Sequence, residues 1–240
     1  MQNLQRIGGL AALYAGVAYI VGMLGFLLVV GWSEDPTRQV AILADNQLVQ
    51  HTLYLIVYQV WAIFLVVLTL ALYERFRAGA PAVMRLATAI GIIWATLVIA
   101  SGMIFNIGMD TVVDLYARDP ARATTVWSAI VAVCDGIGGG NELVGGLWVL
   151  LTSWAALLVR GLPRGLTYLG LATGATGVLS ALPGLGDAGL VFGLVQIAWF
   201  IWLGLVMLRS PSENRERTVE MTYQKTDDTI RYRSGNVGAP

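Results

Sequence analysis

Apolar residues in this chain come in long blocks, not in the alternation of a half-buried strand. Blocks at 7–30, 50–73, 86–108, 141–159, 165–183 and 188–208 are nearly free of charge. Each approaches the roughly 20 residues a helix needs to cross a bilayer. Polar segments separate them. Residues 31–49 contain Asp35–Pro36 and residues 109–123 contain Asp119–Pro120. Asp at the cap followed by Pro in the first turn starts a helix, so the pattern predicts a short surface helix over 36–45 and a surface or re-entrant helix over 120–134. Glu74–Pro81 and Gly161–Arg164 are turns carrying basic residues and helix breakers, and Pro183–Asp187 is a tight turn. The first block has a cationic start but no small-residue cleavage pattern, and it reads as a retained span, not a signal peptide. Residues 209–240 are polar, mix charges of both signs and read as a disordered tail.

The expected fold class is therefore all-α: a polytopic membrane protein with a bundle of six transmembrane helices and short external surface helices. The basic residues orient it. Arg6, Arg75, Arg77, Arg85, Arg160, Arg164 and Arg209 fall on one side of a six-span arrangement, with Glu34, Asp35, Asp45, Asp110, Asp114, Asp119 and Asp187 on the other, beside Arg38, Arg118 and Arg122. The positive-inside tendency then places both termini, including the 209–240 tail, in the cytoplasm of a cell bounded by a plasma or inner membrane. Arg6, Arg85 and Arg164 open alternate spans at equal spacings of 79 residues. Three repeated helical hairpins would give that spacing, and so would positive-inside alone.

Composition narrows the chemistry. The chain has 57% hydrophobic and 12% charged residues, where a soluble domain carries about 25% charged. Zero net charge offers nucleic acid no electrostatic footprint. One histidine, His51, precludes a bis-histidine haem within one chain. One lysine, Lys225, lies in the tail, so no span carries a lysine for a retinal Schiff base. Single Cys134 precludes an intramolecular disulfide or a multi-cysteine metal site. No organic cofactor is expected.

Arg6–Ile7–Gly8–Gly9–Leu10 opens the first block and is followed by a long outer segment and six blocks of this length. In this the chain, over about residues 4–208, resembles a family of bacterial six-span integral membrane proteins of unknown function. The resemblance implies the fold and the membrane location and carries no chemistry with it.

The candidate chemistry centres on 134–142, where Asp135, Asn141, Glu142 and four glycines interrupt an apolar run. Carboxylates near membrane depth are costly and mark functional sites by default, while clustered glycines break or bend a helix. Asn106, Asp110 and His51 are expected at the same depth. Such oxygen ligands with one imidazole would suit a divalent cation or a proton relay. The plainer reading makes Asp135 and Asn141 helix caps and leaves Glu142 facing interfacial water. Gln59 and Gln196 lie within the second and sixth spans, either bonding between helices or lining a polar pathway. Gly136–Gly140 lacks the strand, lysine and hydroxyl of a phosphate loop. Gly184–Leu185–Gly186–Asp187 matches the Gly-x-Gly-Asp motif of intramembrane aspartyl proteases, yet sits where a turn between helices accounts for it.

Three functional classes follow. The first is small-solute or ion binding, for transport or sensing, through an outward-facing acidic site. The second is an accessory protein acting through helix contacts, with the tail as a protein-docking segment. An intramembrane hydrolase comes last, for want of His and Lys. Six spans are few for a transporter built from inverted repeats, which favours a homo-oligomer.

Overall fold

A computed structural model describes residues 2–31, 33, 35–139 and 142–209; the 209–240 tail beyond Arg209 lies outside the described residues, as does Asn141. The described chain is helical, without strands. Helix α1 (Gln2–Leu24) continues into a π-helical turn, Gly25–Val30. Helix α2 spans Pro36–Asp45. Helix α3 runs from Gln47 to Phe76 with a π-helical stretch at Leu55–Val60. Helix α4 spans Pro81–Tyr116, and α5 spans Pro120–Cys134 and runs on as a π-helical Asp135–Gly139. Helices α6 (Leu143–Val159), α7 (Arg164–Leu179) and α8 (Ala188–Arg209) complete the bundle.

The two Asp–Pro signals start α2 and α5 where expected. The Asp35 carboxylate accepts from the Thr37 N–H at 3.0 Å, and the Asp119 carboxylate accepts from the Arg122 N–H at 3.1 Å. Each satisfies a backbone donor that the first helical turn leaves unpaired.

Four helices are long and apolar enough to cross a membrane: Asn3–Leu28, Gln47–Phe76, Pro81–Tyr116 and Ala188–Arg209. Helices α6, of 17 residues, and α7, of 16, are shorter. Two predicted lengths need correcting. The blocks 50–73 and 86–108 end where the apolar run ends, but the helices continue for 30 and 36 residues in all. At 1.5 Å per residue α4 is about 54 Å long, well beyond the roughly 30 Å of a hydrocarbon core. Its last turns mix polar residues with Met109 and Val112, which are buried against α2 and α5. Packing, not hydropathy, sets the helix end there.

One end of the bundle gathers the basic turns. The half-buried Arg75 guanidinium donates to Gln5 Oε1 at 3.4 Å and to the Gly161 carbonyl at 3.2 Å, tying α1, α3 and the α6–α7 turn together. Gln5 Nε2 donates to the Ala71 carbonyl at 2.8 Å. This is the basic end, and the opposite one, carrying Asp110, Asp114 and Asp119, is the acidic end.

Two cores follow. The larger joins α1, α3, α4, α6 and α8 around a chain of buried rings. Trp61 and Trp94 centroids lie 5.0 Å apart, Trp94 and Trp148 5.8 Å, and Trp148 and Trp199 5.8 Å, within the range of favourable aromatic pairs. Trp202 faces outward at 41% exposure. The smaller core lies at the acidic end, where Val40 and Leu43 of α2 meet Phe105, Met109 and Val112 of α4 and Ala123 and Trp127 of α5. Glycines bring backbones into contact elsewhere. A Cβ on Gly146 of α6 would stand 2.6 Å from the Val178 nitrogen of α7, and one on Gly9 of α1 would stand 3.1 Å from the Gly204 carbonyl oxygen of α8. Small residues permit such approach between helices in lipid.

Candidate functional site

No unbroken α-helix joins Cys134 to Leu143. Helix α5 ends at Cys134, the chain turns through the π-helical Asp135–Gly139, and Glu142 stands in a turn with φ −87° and ψ 16° before α6 begins. The seven-residue spacing therefore does not place Asp135 and Glu142 on one helix face. They enter two different cavities that share a wall.

Glu142 lines a cavity of about 300 Å³ whose other walls are Tyr19, Gly22, Met23 and Phe26 of α1, Val57, Tyr58 and Trp61 of α3, and Trp94 and Val98 of α4. Five of these are aromatic. Tyr19 meets Trp61 edge to face, with centroids 5.6 Å apart, and Trp61 meets Trp94 in the same manner. The Glu142 carboxylate has no hydrogen-bond or ion partner among the described residues, and its only paired backbone group is the carbonyl accepting from Gly146 N–H at 2.7 Å. Its side chain makes no cap bond to α6. Capping thus does not account for Glu142, although it does account for Asp35 and Asp119.

Asp135 lines the second cavity, of about 340 Å³, nearer the acidic end. Its walls include Ser33, Gln39 and Gln50 with Tyr54, Phe105 and Trp127, and it shares Phe26 and Tyr58 with the first. Trp127 Nε1 donates to Gln39 Oε1 at 3.0 Å, which joins α5 to α2 across this space. All three π-helical stretches contribute to these walls: Phe26 from the first, Val57 and Tyr58 from the second, Asp135 from the third. A π-helical turn displaces side chains from their α-helical positions and frequently lies at functional sites. Cys134, beside Asp135, is fully buried, and its thiol donates to the Ser101 carbonyl at 3.6 Å. Desolvation first and the Asp135 charge second push the thiol pKa up to about 11. Desolvation also raises the Asp135 carboxyl above its ordinary value.

The remaining candidates do not join this site. His51 Nε2 and Asp110 Oδ1 lie 2.8 Å apart, and Gln47 Nε2 donates to the same oxygen at 2.8 Å. The Asp110 side chain is 55% exposed. From Trp94 in the Glu142 cavity, α4 climbs about 24 Å before reaching Asp110. The expectation of equal depth rests on helices that end with their apolar blocks, and α4 continues to Tyr116, beyond the block 86–108. Asn106 is half-buried, with its Oδ1 unpartnered. Among the described residues no three His, Cys, Asp or Glu side chains gather as a metal-ion site. The ligand set envisaged for a divalent cation is therefore divided among the two cavities and the His51–Asp110 pair.

Among the described residues Gln59 and Gln196 make no interhelical bond. Gln59 Oε1 is buried without a partner, and Gln196 is fully buried with neither amide atom paired. Thr69, Thr152, Ser153 and Trp199 add unpartnered polar atoms in the same bundle core. Asp187 is exposed in the α7–α8 turn, with Gly184 at φ +83°, which is the use of that motif favoured by the sequence. The aromatic walls escaped the sequence reading. Tyr58 and Trp61 stand three apart and Trp94 and Val98 four apart, so each pair shares a helix face. That signal was present, but one face alone does not reveal which other faces it meets.

Comparisons with known protein families, with curated proteins and with solved structures found no match.

Proposed function

We propose that this chain is a multi-pass membrane protein that binds a small solute or ion at an outward-facing acidic site centred on Glu142, as a small transporter or sensor. One observation carries the reading: a carboxylate with no partner among the described residues enters a ligand-sized cavity between α1, α3, α4 and the start of α6. Glu142 is half-buried, and a polar group turned from water without a partner is destabilising, by about 1–3 kcal/mol where burial is complete, so its retention calls for a use. Pockets for small ligands begin at about 300 Å³, the size of this cavity.

In this reading α6 and α7 join the four long helices as fifth and sixth spans. At about 26 and 24 Å they sit within a locally thinned or tilted arrangement. The basic end faces the cytoplasm, by the excess of Arg in its turns. The acidic end, with the smaller core, then stands outside the hydrocarbon as a head over the cavity.

The test is thermal unfolding of the purified protein in detergent, comparing wild type with Glu142→Gln across pH, inorganic cations and small charged and neutral solutes. A ligand that binds only the folded state raises the midpoint. The expected result is a rise for at least one solute or ion that Glu142→Gln abolishes. Coincident curves for both proteins under every condition would refute the site.

A further inference from the structure

We infer that the Glu142 cavity is a cage for an organic monocation, an amine or quaternary ammonium group held by one carboxylate and a surround of aromatic faces. The inference rests on the reading of Glu142 as a ligand site and names the ligand's chemistry. The lining decides it. A hard metal cation takes six or more oxygen ligands, whereas this cavity offers a single carboxylate and the hydroxyls of Tyr19 and Tyr58 among apolar walls. A neutral apolar solute would displace water from the half-buried carboxylate and give it no partner, at the cost of its lost hydration. An anion would meet like charge. An alkylammonium satisfies both features at once. Its charge pairs with Glu142, and its methyl or methylene groups, which share that charge, rest on the ring faces of Tyr19, Tyr58, Trp61 and Trp94. Such ring faces attract cations within about 6 Å, most strongly where water is excluded, and they suit quaternary ammonium groups.

The approach fits as well. Asp135 lines the neighbouring cavity toward the acidic end, and Tyr58 and Phe26 form the partition. Asp35, Asp45, Asp110, Asp114 and Asp119 stand on the segments of that end together with Arg38, Arg118 and Arg122, which leaves it acidic on balance. Acidic groups around a cleft raise the local concentration of a cation and speed its arrival. The cation therefore meets Asp135 first and Glu142 second.

The experiment uses the full chain in detergent and a matched pair of probes: choline, a quaternary ammonium, and 3,3-dimethyl-1-butanol, its neutral isostere. Binding is read by titration calorimetry and by the change in tryptophan fluorescence that a ligand against Trp61 and Trp94 produces. The expected outcome is that choline binds and the neutral isostere binds at least 10-fold more weakly. Glu142→Gln weakens choline binding about 30-fold or more, as removal of a buried charge partner does. Tyr58→Leu weakens it about 10-fold while Tyr58→Phe, which keeps the ring, stays near wild type. Circular dichroism confirms that each variant is folded. The Tyr58 pair keeps the test decisive should Glu142→Gln not fold. If an inorganic cation or another solute binds in a Glu142-dependent way while choline does not, the cage is refuted and the ligand site stands. Equal binding of choline and its isostere also refutes the cage. If nothing binds wild type, both fall.

Discussion

Glu142 and Asp119 both precede a helix, and their different surroundings show what a carboxylate at that position can do. Asp119 is one residue before Pro120, short enough to fold back and accept the Arg122 N–H. Glu142 reaches instead between rings of α1, α3 and α4. A carboxylate in that setting is a burden to the empty protein. Glu142→Leu is therefore expected to raise the stability of the ligand-free protein by about 1 kcal/mol, since removing an unpaired polar group relieves its desolvation. The thermal midpoint without added ligand reads this directly. A fall of similar size would mean that the carboxylate supports the fold and is not held ready for a ligand. Cys134 makes a second test at this scale. Its sulfur is fully buried, and its pKa is pushed up to about 11, so almost none is thiolate near pH 7. The thiolate is the reactive form. Maleimide should label Cys134 only as the protein unfolds, and rapid labelling of the folded protein would contradict the packing of α5 on α4.

At the scale of helices, glycine position separates contact from open space. A Cβ on Gly146 would lie 2.6 Å from the Val178 nitrogen and one on Gly174 would lie 2.5 Å from the Leu150 nitrogen, so α6 and α7 touch through backbone. Gly193 in α8 has nothing within 4 Å of the same position. Gly146→Ala should destabilise by about 1–3 kcal/mol through overpacking. Gly193→Ala should be neutral or stabilise by up to about 1 kcal/mol, because alanine favours a helix interior. Denaturant or thermal unfolding of the two variants compares them, and equal effects would refute the close α6–α7 contact. The same scale explains what the sequence made legible. Short local signals were sufficient for α2 and α5, whose Asp–Pro starts need only neighbouring residues. The upper ends of α3 and α4 were not legible from hydropathy, because Met109 and Val112 are paid no attention by a window average that also counts Asp110 and Asp114. Their burial depends on α2 and α5 arriving from elsewhere in the chain.

For the molecule as a whole, the two cores divide the work. The larger, ringed by Trp61, Trp94, Trp148 and Trp199, fixes the long helices relative to one another, and the smaller joins α2 and α5 over the acidic end. The candidate cavities lie where these cores meet, and the three π-helical stretches turn their side chains into that junction. Glu142 and Asp135 were legible as candidates because charge within an apolar run is rare. Their aromatic surroundings were not, since Tyr19, Tyr58, Trp61 and Trp94 come from three helices and only the tertiary fold unites them. His51 and Asp110 were grouped with Glu142 by a depth argument that the length of α4 overturns. The central claim is that the Glu142 cavity opens outward from a bundle whose basic end faces the cytoplasm. The most direct measurement is labelling of intact cells with a membrane-impermeant maleimide. Glu142→Cys and Arg77→Cys are compared, each with Cys134→Ser. The account predicts that position 142 labels from outside and that position 77 labels only after the membrane is permeabilised. Labelling of position 77 in intact cells, or of position 142 only after permeabilisation, would contradict it.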